Sequence, residues 1–213
     1  MKNADSLFPG SYYHIYNHAV GDENLFRNED NFYYFLQKYN QYIYPICETY
    51  AYSLMPNHFH FAIKVRNLET LNLHYEYLKS ESKTITTLYP LNTLEEASKF
   101  TMQQFSNFFN SYTKSYNKKF DRKGALFIDY MKRKVIISKE YFTNLIYYIH
   151  HNPVHHNFCK NMHDWKFSSY HAFLSSKDSK LNREQIFKWF GDKKSFIDFH
   201  NATQKIFISE LEF

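Results

Sequence analysis

The chain has 213 residues, 44% of them hydrophobic and 22% charged, which fits a folded globular domain and excludes a mainly disordered one. Its four glycines, Gly10, Gly21, Gly124 and Gly191, do not have the spacing of a P-loop or a dinucleotide GxGxxG, so glycine-loop nucleotide sites are excluded. The net charge of +5 is concentrated in segment 113–134, where Lys114, Lys118, Lys119, Arg122, Lys123, Lys132, Arg133 and Lys134 face only Asp121 and Asp129. That segment is +6 and the remainder −1.

In chain order, residues 12–17 read as a strand, and 31–44 place Phe32, Phe35, Leu36, Tyr39 and Ile43 at helical intervals. Residues 47–55 and 58–65 read as two strands joined by a tight turn at Pro56-Asn57. Residues 67–100 are mixed and polar and read as an elaborated connection. After it Met102, Phe105, Phe109, Tyr112 and Tyr116 repeat at 3-4-3-4 spacing and predict a helix. A short strand is expected at 132–137. Ser138 is then the N-cap of a helix whose stripe is Phe142, Leu145, Ile146 and Ile149, and Pro153 is expected to stop it. The order β-α-β-β-α-β-α predicts an α+β domain, an antiparallel sheet with helices packed on it, over residues 1–174. A polar break at 175–180 leads to a helical C-terminal tail, 175–213, with helical patterns at 183–190 and 195–208.

No unbroken apolar stretch, residues 145–149 included, exceeds five residues, far short of the roughly 20 needed to span a bilayer, and residues 1–6 hold no signal-peptide core. Cys47 and Cys159 form neither a CxxC nor a disulfide framework. The expectation is a cytoplasmic, nucleoid-associated protein with no membrane partner. The basic segment is interleaved with Tyr116, Phe120, Phe127 and Tyr130, a mixture suited to neutralising phosphates and stacking bases of single strands. The same composition also fits a solvated loop beside core aromatics.

Two constellations have chemical potential. In His58-Phe59-His60-Phe61-Ala62-Ile63-Lys64-Val65 the alternation puts both histidines on one strand face, backed by apolar residues on the other. Two imidazoles so placed can hold a divalent cation, or be partly buried rings bonded to backbone. In the helix ending near Pro153, Tyr148 and Asn152 lie about 40° apart and face the sheet together, while Tyr147 and His151 point away. A phenol and a carboxamide one turn apart suit a metal-assisted attack on a phosphodiester, and equally an interfacial tyrosine with an Asn helix stop.

Five segments occur in the order seen in single-tyrosine HUH transposases: Tyr13-His14-Ile15-Tyr16-Asn17-His18, Ala51-Tyr52-Ser53-Leu54-Met55-Pro56-Asn57-His58-Phe59-His60, Gly124-Ala125-Leu126-Phe127, Tyr147-Tyr148-Ile149-His150-His151-Asn152-Pro153-Val154 and Trp165-Lys166-Phe167-Ser168-Ser169-Tyr170. The chain most resembles the branch called REP-associated tyrosine transposases, over about residues 11–174. The resemblance implies a ferredoxin-like sheet, Mg²⁺ or Mn²⁺ held by His58 and His60 with Asn152 as third ligand, and Tyr148 as nucleophile. The implied reaction cleaves and rejoins single-stranded DNA near hairpins through a 5′-phosphotyrosine. His14 and Lys132 are candidate bases by sheet position. The sequence departs from the common pattern at His150-His151, at Asn157 where glycine is frequent, and in the longer stretch 67–100. Two rivals stand beside this expectation, a domesticated hairpin-binding protein that does not cleave and a rolling-circle-type nickase. A homodimer, with Tyr148 serving its own or a partner's histidines, is also left open.

Overall fold

The structure, a computed structural model, describes residues 5–81, 91–128 and 130–202. Residues 82–90 of the connection, Asp129 and the end of the 195–208 pattern lie outside the described residues. The strands are β1 (Tyr12–His18), β2 (Cys47–Met55), β3 (His58–Val65) and β4 (Lys132–Ile136). The sheet is antiparallel in the order β2-β3-β1-β4, with His14 opposite Ala62 and Tyr16 opposite His60 across the central pair. That order is the ferredoxin-like one.

The main helices are α1 (Glu29–Tyr42), α2 (Leu68–Glu81), α3 (Leu94–Lys119) and α4 (Lys139–His155). Strand alternation sorts the sheet into two faces. Tyr13, Ile15, Phe59, Phe61, Ile63 and Val65 pack against Phe32, Phe35 and Tyr39 of α1 and Phe105, Phe108 and Tyr112 of α3. The opposite face carries His14, Tyr16, His58 and His60, with Ala51 and Ala62 under α4, whose Phe142, Leu145, Ile146 and Ile149 are buried there. Small residues beneath α4 let it approach the sheet closely, so a side chain on its inner face reaches the strand imidazoles.

Three expectations need correction. The 67–100 stretch contains the whole of α2 and the first turns of α3. Only Leu71 and Tyr75 of α2 are buried, so its hydrophobic stripe is thin. A Thr93–Glu96 capping box starts α3 well before the periodic aromatics. Pro153 does not stop α4, which runs on to His155. Phe158 N donates to the Pro153 carbonyl (2.8 Å) and Asn157 N to the Val154 carbonyl (3.0 Å), a Schellman closure one turn beyond the proline. Asn157 sits at φ +59°, the left-handed position for which glycine is the easier residue and asparagine the next best.

Beyond residue 174, among the described residues, two helices pack into the core beneath α4. After α5 (Tyr170–Leu174) come α6 (Arg183–Phe190) and α7 (Lys193–Asn201), whose Ile186 and Phe196 are wholly buried in the cluster that holds Leu145 and Ile149. The Trp165–Tyr170 stretch covers the outer edge of β2: Leu54 N donates to the Phe167 carbonyl, Ser169 N to the Tyr52 carbonyl, and the Trp165 indole to the Leu54 carbonyl. No helix among the described residues is long and apolar enough to cross a membrane.

Candidate active site

β1 and β3 supply one wall of a cleft of about 500 Å³, and α4 with the residues after it supplies the other. Its lining is Tyr16, His18, His58, His60, Tyr148, His155 and His156. The predicted constellations therefore meet. Tyr148 and Asn152 face the sheet, 4% and 0% exposed, and the Tyr148 ring stands edge-on to His60 at 5.3 Å between centroids. Tyr147 is turned the other way, stacked on His151 and covered by Phe199 and His200. A larger cleft of about 650 Å³ lies on the opposite face between α1 and α3, and no imidazole lines it.

The histidines are held neutral. Burial pushes His58 down to about 3, opposed by its bond to Asn152 and helped by nearby His18 and His156. Burial, then the neighbouring His14 and His58, holds His60 well below the ordinary imidazole value. Burial and the charge of Lys134 bring His14 to about 3. A neutral imidazole has one N–H and one lone pair, so each ring's partners decide which nitrogen faces the cleft.

For His58 the answer lies in two asparagines. Its Nδ1 is 2.8 Å from Asn57 Oδ1, an acceptor, so the proton belongs on Nδ1 and the lone pair on Nε2. That Nε2 is 2.9 Å from Asn152 Oδ1, also an acceptor, while Asn152 Nδ2 is buried with no hydrogen-bond partner. Two lone pairs that close are stabilised by a cation between them, or by turning the amide over so that Nδ2 donates. The separation suits adjacent ligands of an octahedral ion with bonds of about 2.1 Å, which sit roughly 3.0 Å apart. The residues present thus fit a hard divalent cation. Among the described residues no group of three or more His, Cys, Asp or Glu could hold a metal ion, so a cation here would depend on the Asn152 oxygen beside the imidazoles.

The eight basic residues of 113–134 divide among three places. Lys114, Lys118 and Lys119 are on the exposed face of α3, with Lys119 Nζ 3.3 Å from Asp30. Arg122 and Lys123 follow the helix, and the Arg122 guanidinium binds Glu23 at 2.8 Å and the Gly124 and Ala125 carbonyls. On β4, Arg133 points to the α1/α3 face, where it donates to the Asp5 carbonyl. Lys132 and Lys134 lie opposite Tyr16 and His14, on the face that carries the cleft. A continuous basic loop, as the linear sequence implies, is therefore not what forms.

His18, His155 and His156 went unremarked as site residues in the sequence. His18 stacks on His58 at 4.6 Å and 8°, and His156 meets the same ring edge-on at 4.8 Å. The signal for His18 was its parity with His14 in β1; the other two depend on α4 continuing beyond Pro153.

No family model matches the chain, and no curated protein matches it significantly. Among solved structures its fold is similar to that of a REP-associated tyrosine transposase bound to a REP hairpin, with a TM-score of 0.54 and 14% sequence identity over 83% of this chain and 87% of that one. At that identity the likeness establishes the architecture: a four-stranded antiparallel sheet with helices packed on it.

Proposed function

We propose that the chain is a single-stranded DNA transesterase in which Tyr148 is the nucleophile and His58, His60 and Asn152 hold Mg²⁺ or Mn²⁺. The observation that carries this reading is the convergence, within one chain, of Tyr148, His58 and His60 on one cleft, with the buried Asn152 Oδ1 2.9 Å from His58 Nε2. A divalent ion bound there would polarise the scissile phosphate. The protein supplies the rest. Tyr148 Oη attacks phosphorus and passes its proton to solvent in the cleft as the O–P bond forms. The bond from phosphorus to the 3′ oxygen breaks, and that oxygen takes up a proton to leave a free 3′-OH. The bond energy is kept in the 5′-phosphotyrosine, so attack by a 3′-OH rejoins the strand without ATP, consistent with a sequence that has no phosphate loop.

The structure gives Tyr148 its own chain's imidazoles as neighbours, which favours action in cis. Tyr16 is the other phenol lining the cleft, and burial pushes it up to about 12. Lys132 and Lys134 on the same sheet face suit the backbone of an entering strand. A hairpin beside the cleavage site is the substrate suggested by the fold's similarity to a hairpin-bound transposase. The test is incubation of the protein with 5′- and 3′-labelled single-stranded hairpins from its genomic neighbourhood, with Mn²⁺ or Mg²⁺. A protein-linked product carrying only the strand 3′ of the cut is expected. Hairpin binding with no linked product under any metal condition would favour the non-cleaving alternative, and free 5′-phosphates without linkage would exclude a tyrosine nucleophile.

A further inference from the structure

His14 and His60 are diagonal neighbours on one face of the central strand pair, since His14 lies opposite Ala62 and His60 opposite Tyr16. Their rings lie 5.1 Å apart at 23°, with His14 Nε2 2.8 Å from His60 Nδ1, and the rings are 0% and 4% exposed. One proton occupies that contact. His14 Nδ1 is buried with no hydrogen-bond partner, so no other contact fixes which way the pair is polarised.

There are two arrangements with the same number of protons. In one, His14 Nε2–H donates to His60 Nδ1, which leaves N–H on His60 Nε2 and no lone pair for a cation. The unpartnered His14 Nδ1 is then an acceptor, the cheaper kind of buried orphan. In the other, His60 Nδ1–H donates to His14 Nε2, freeing His60 Nε2 as a ligand and placing an N–H on His14 Nδ1.

We propose that His14 is the positioning residue of the site: it accepts the His60 Nδ1 proton and so holds His60 in the tautomer that can ligate a divalent cation. This rests on the metal reading given above. Asn57 does the corresponding work for His58, as its Oδ1 accepts from Nδ1 at 2.8 Å. The two ligands are thus oriented by different neighbours, a carboxamide from the hairpin turn and an imidazole from the adjacent strand. Holding a cation at His60 Nε2 therefore requires three proton shifts that leave both rings neutral: the shared proton moves from His14 Nε2 to His60 Nδ1, the His60 Nε2 proton leaves to solvent in the cleft, and His14 Nδ1 takes one up. Without an acceptor at position 14, a buried His60 keeps its proton on Nε2, where the cleft can solvate it, and the ligand is lost.

The test uses the full chain without DNA. Mn²⁺ is titrated at neutral pH and followed by the EPR signal of the free ion, for the wild type, His14→Leu, His14→Gln and His60→Ala. Loss of an outer-sphere partner typically weakens a metal site by about 10- to 100-fold, the expected effect of His14→Leu. Glutamine can place an amide oxygen where the imidazole accepted, so His14→Gln should stay within about threefold of the wild type. In parallel, ¹⁵N–¹H correlation of the His60 ring in wild-type protein, with and without Mg²⁺, should show the proton on Nδ1 when the ion is bound. That spectrum keeps the test open should a variant fail to fold. Wild-type affinity in His14→Leu, equal loss in the leucine and glutamine variants, or a proton on His60 Nε2 in the Mg²⁺-loaded protein would overturn the role of His14 while leaving the metal site standing. Equal Mn²⁺ binding by wild type and His60→Ala would overturn both.

Discussion

The placement of positive charge gives a prediction that the linear sequence alone does not make. Lys132 and Lys134 lie on the cleft face of β4, whereas Lys118 and Lys123 are exposed on α3 and just beyond it. A strand whose phosphate reaches Tyr148 passes over the first pair. Each phosphate contact on single-stranded DNA contributes about 0.7 to the slope of log affinity against log salt, so Lys132→Ala with Lys134→Ala should reduce the slope by about 1.4. Between about 50 and 200 mM salt the wild type should then lose about sevenfold more affinity than the double variant. Fluorescence anisotropy with one labelled hairpin, in a Tyr148→Phe background that prevents covalent trapping, measures this directly. Lys118→Ala with Lys123→Ala is the matched control and should leave the slope unchanged. An unaltered slope in the β4 pair with a drop in the control would refute the route proposed for the strand.

Other outcomes follow from the same geometry. Tyr148→Phe should abolish covalent attachment while binding stays within about twofold, because it deletes a nucleophile and little packing, whereas Tyr147→Phe and Tyr16→Phe should still form adduct on a denaturing gel. His58→Ala or His60→Ala should remove Mn²⁺-dependent cleavage and Asn152→Ala should weaken it less, a neutral amide oxygen being the poorer donor; cleavage undiminished in EDTA would contradict this. Phe196→Ala should cost about 3–5 kcal/mol by urea unfolding, since it empties the junction of α7 with α4; a loss under about 1 kcal/mol would show that the C-terminal helices are dispensable to the core. Burial holds His14 and His58 to about 3 and His200 to about 4, with His60 and His150 also well depressed. The unfolded chain, titrating near the ordinary value of about 6.5, binds more protons below that pH, so stability present at pH 7 should fall as pH drops toward about 4, by up to about 1.4 kcal/mol per pH unit for each such histidine. Equal melting temperatures by circular dichroism at pH 7 and pH 5 would contradict it.

What the sequence made legible was local. The alternation in β2 and β3 and the turn at Pro56-Asn57 placed those strands at their observed bounds, and helical geometry put Tyr148 and Asn152 together on the inner face of α4. The losses are of other kinds. α2 buries only two side chains, so periodicity had little to register. Pro153 breaks one ladder bond but stands within the last turn, where the Schellman bonds carry the helix onward and bring His155 and His156 to the cleft. The basic segment looked continuous because charge was counted along the chain, whereas β4 parity sends Arg133 to one face and its neighbours to the other. The His14–His60 contact depends on the register of β1 against β3, which neither strand encodes alone. Likewise His150, where the sequence departs from the family's common pattern, finds its partners 19 and 50 residues away, Ser169 at 2.8 Å and His200 at 2.9 Å.

The central claim is that Tyr148 forms a covalent bond to DNA. After reaction with a single-stranded hairpin and Mn²⁺, nuclease trimming and trypsin digestion release residues 140–160 as one peptide, which contains Tyr141, Tyr147 and Tyr148. Fragmentation mass spectrometry should locate the nucleotide phosphate on Tyr148, with no modified peptide from the Tyr148→Phe protein. Modification at Tyr147 or Tyr16 instead, or DNA cut with every tyrosine unmodified, would contradict the account.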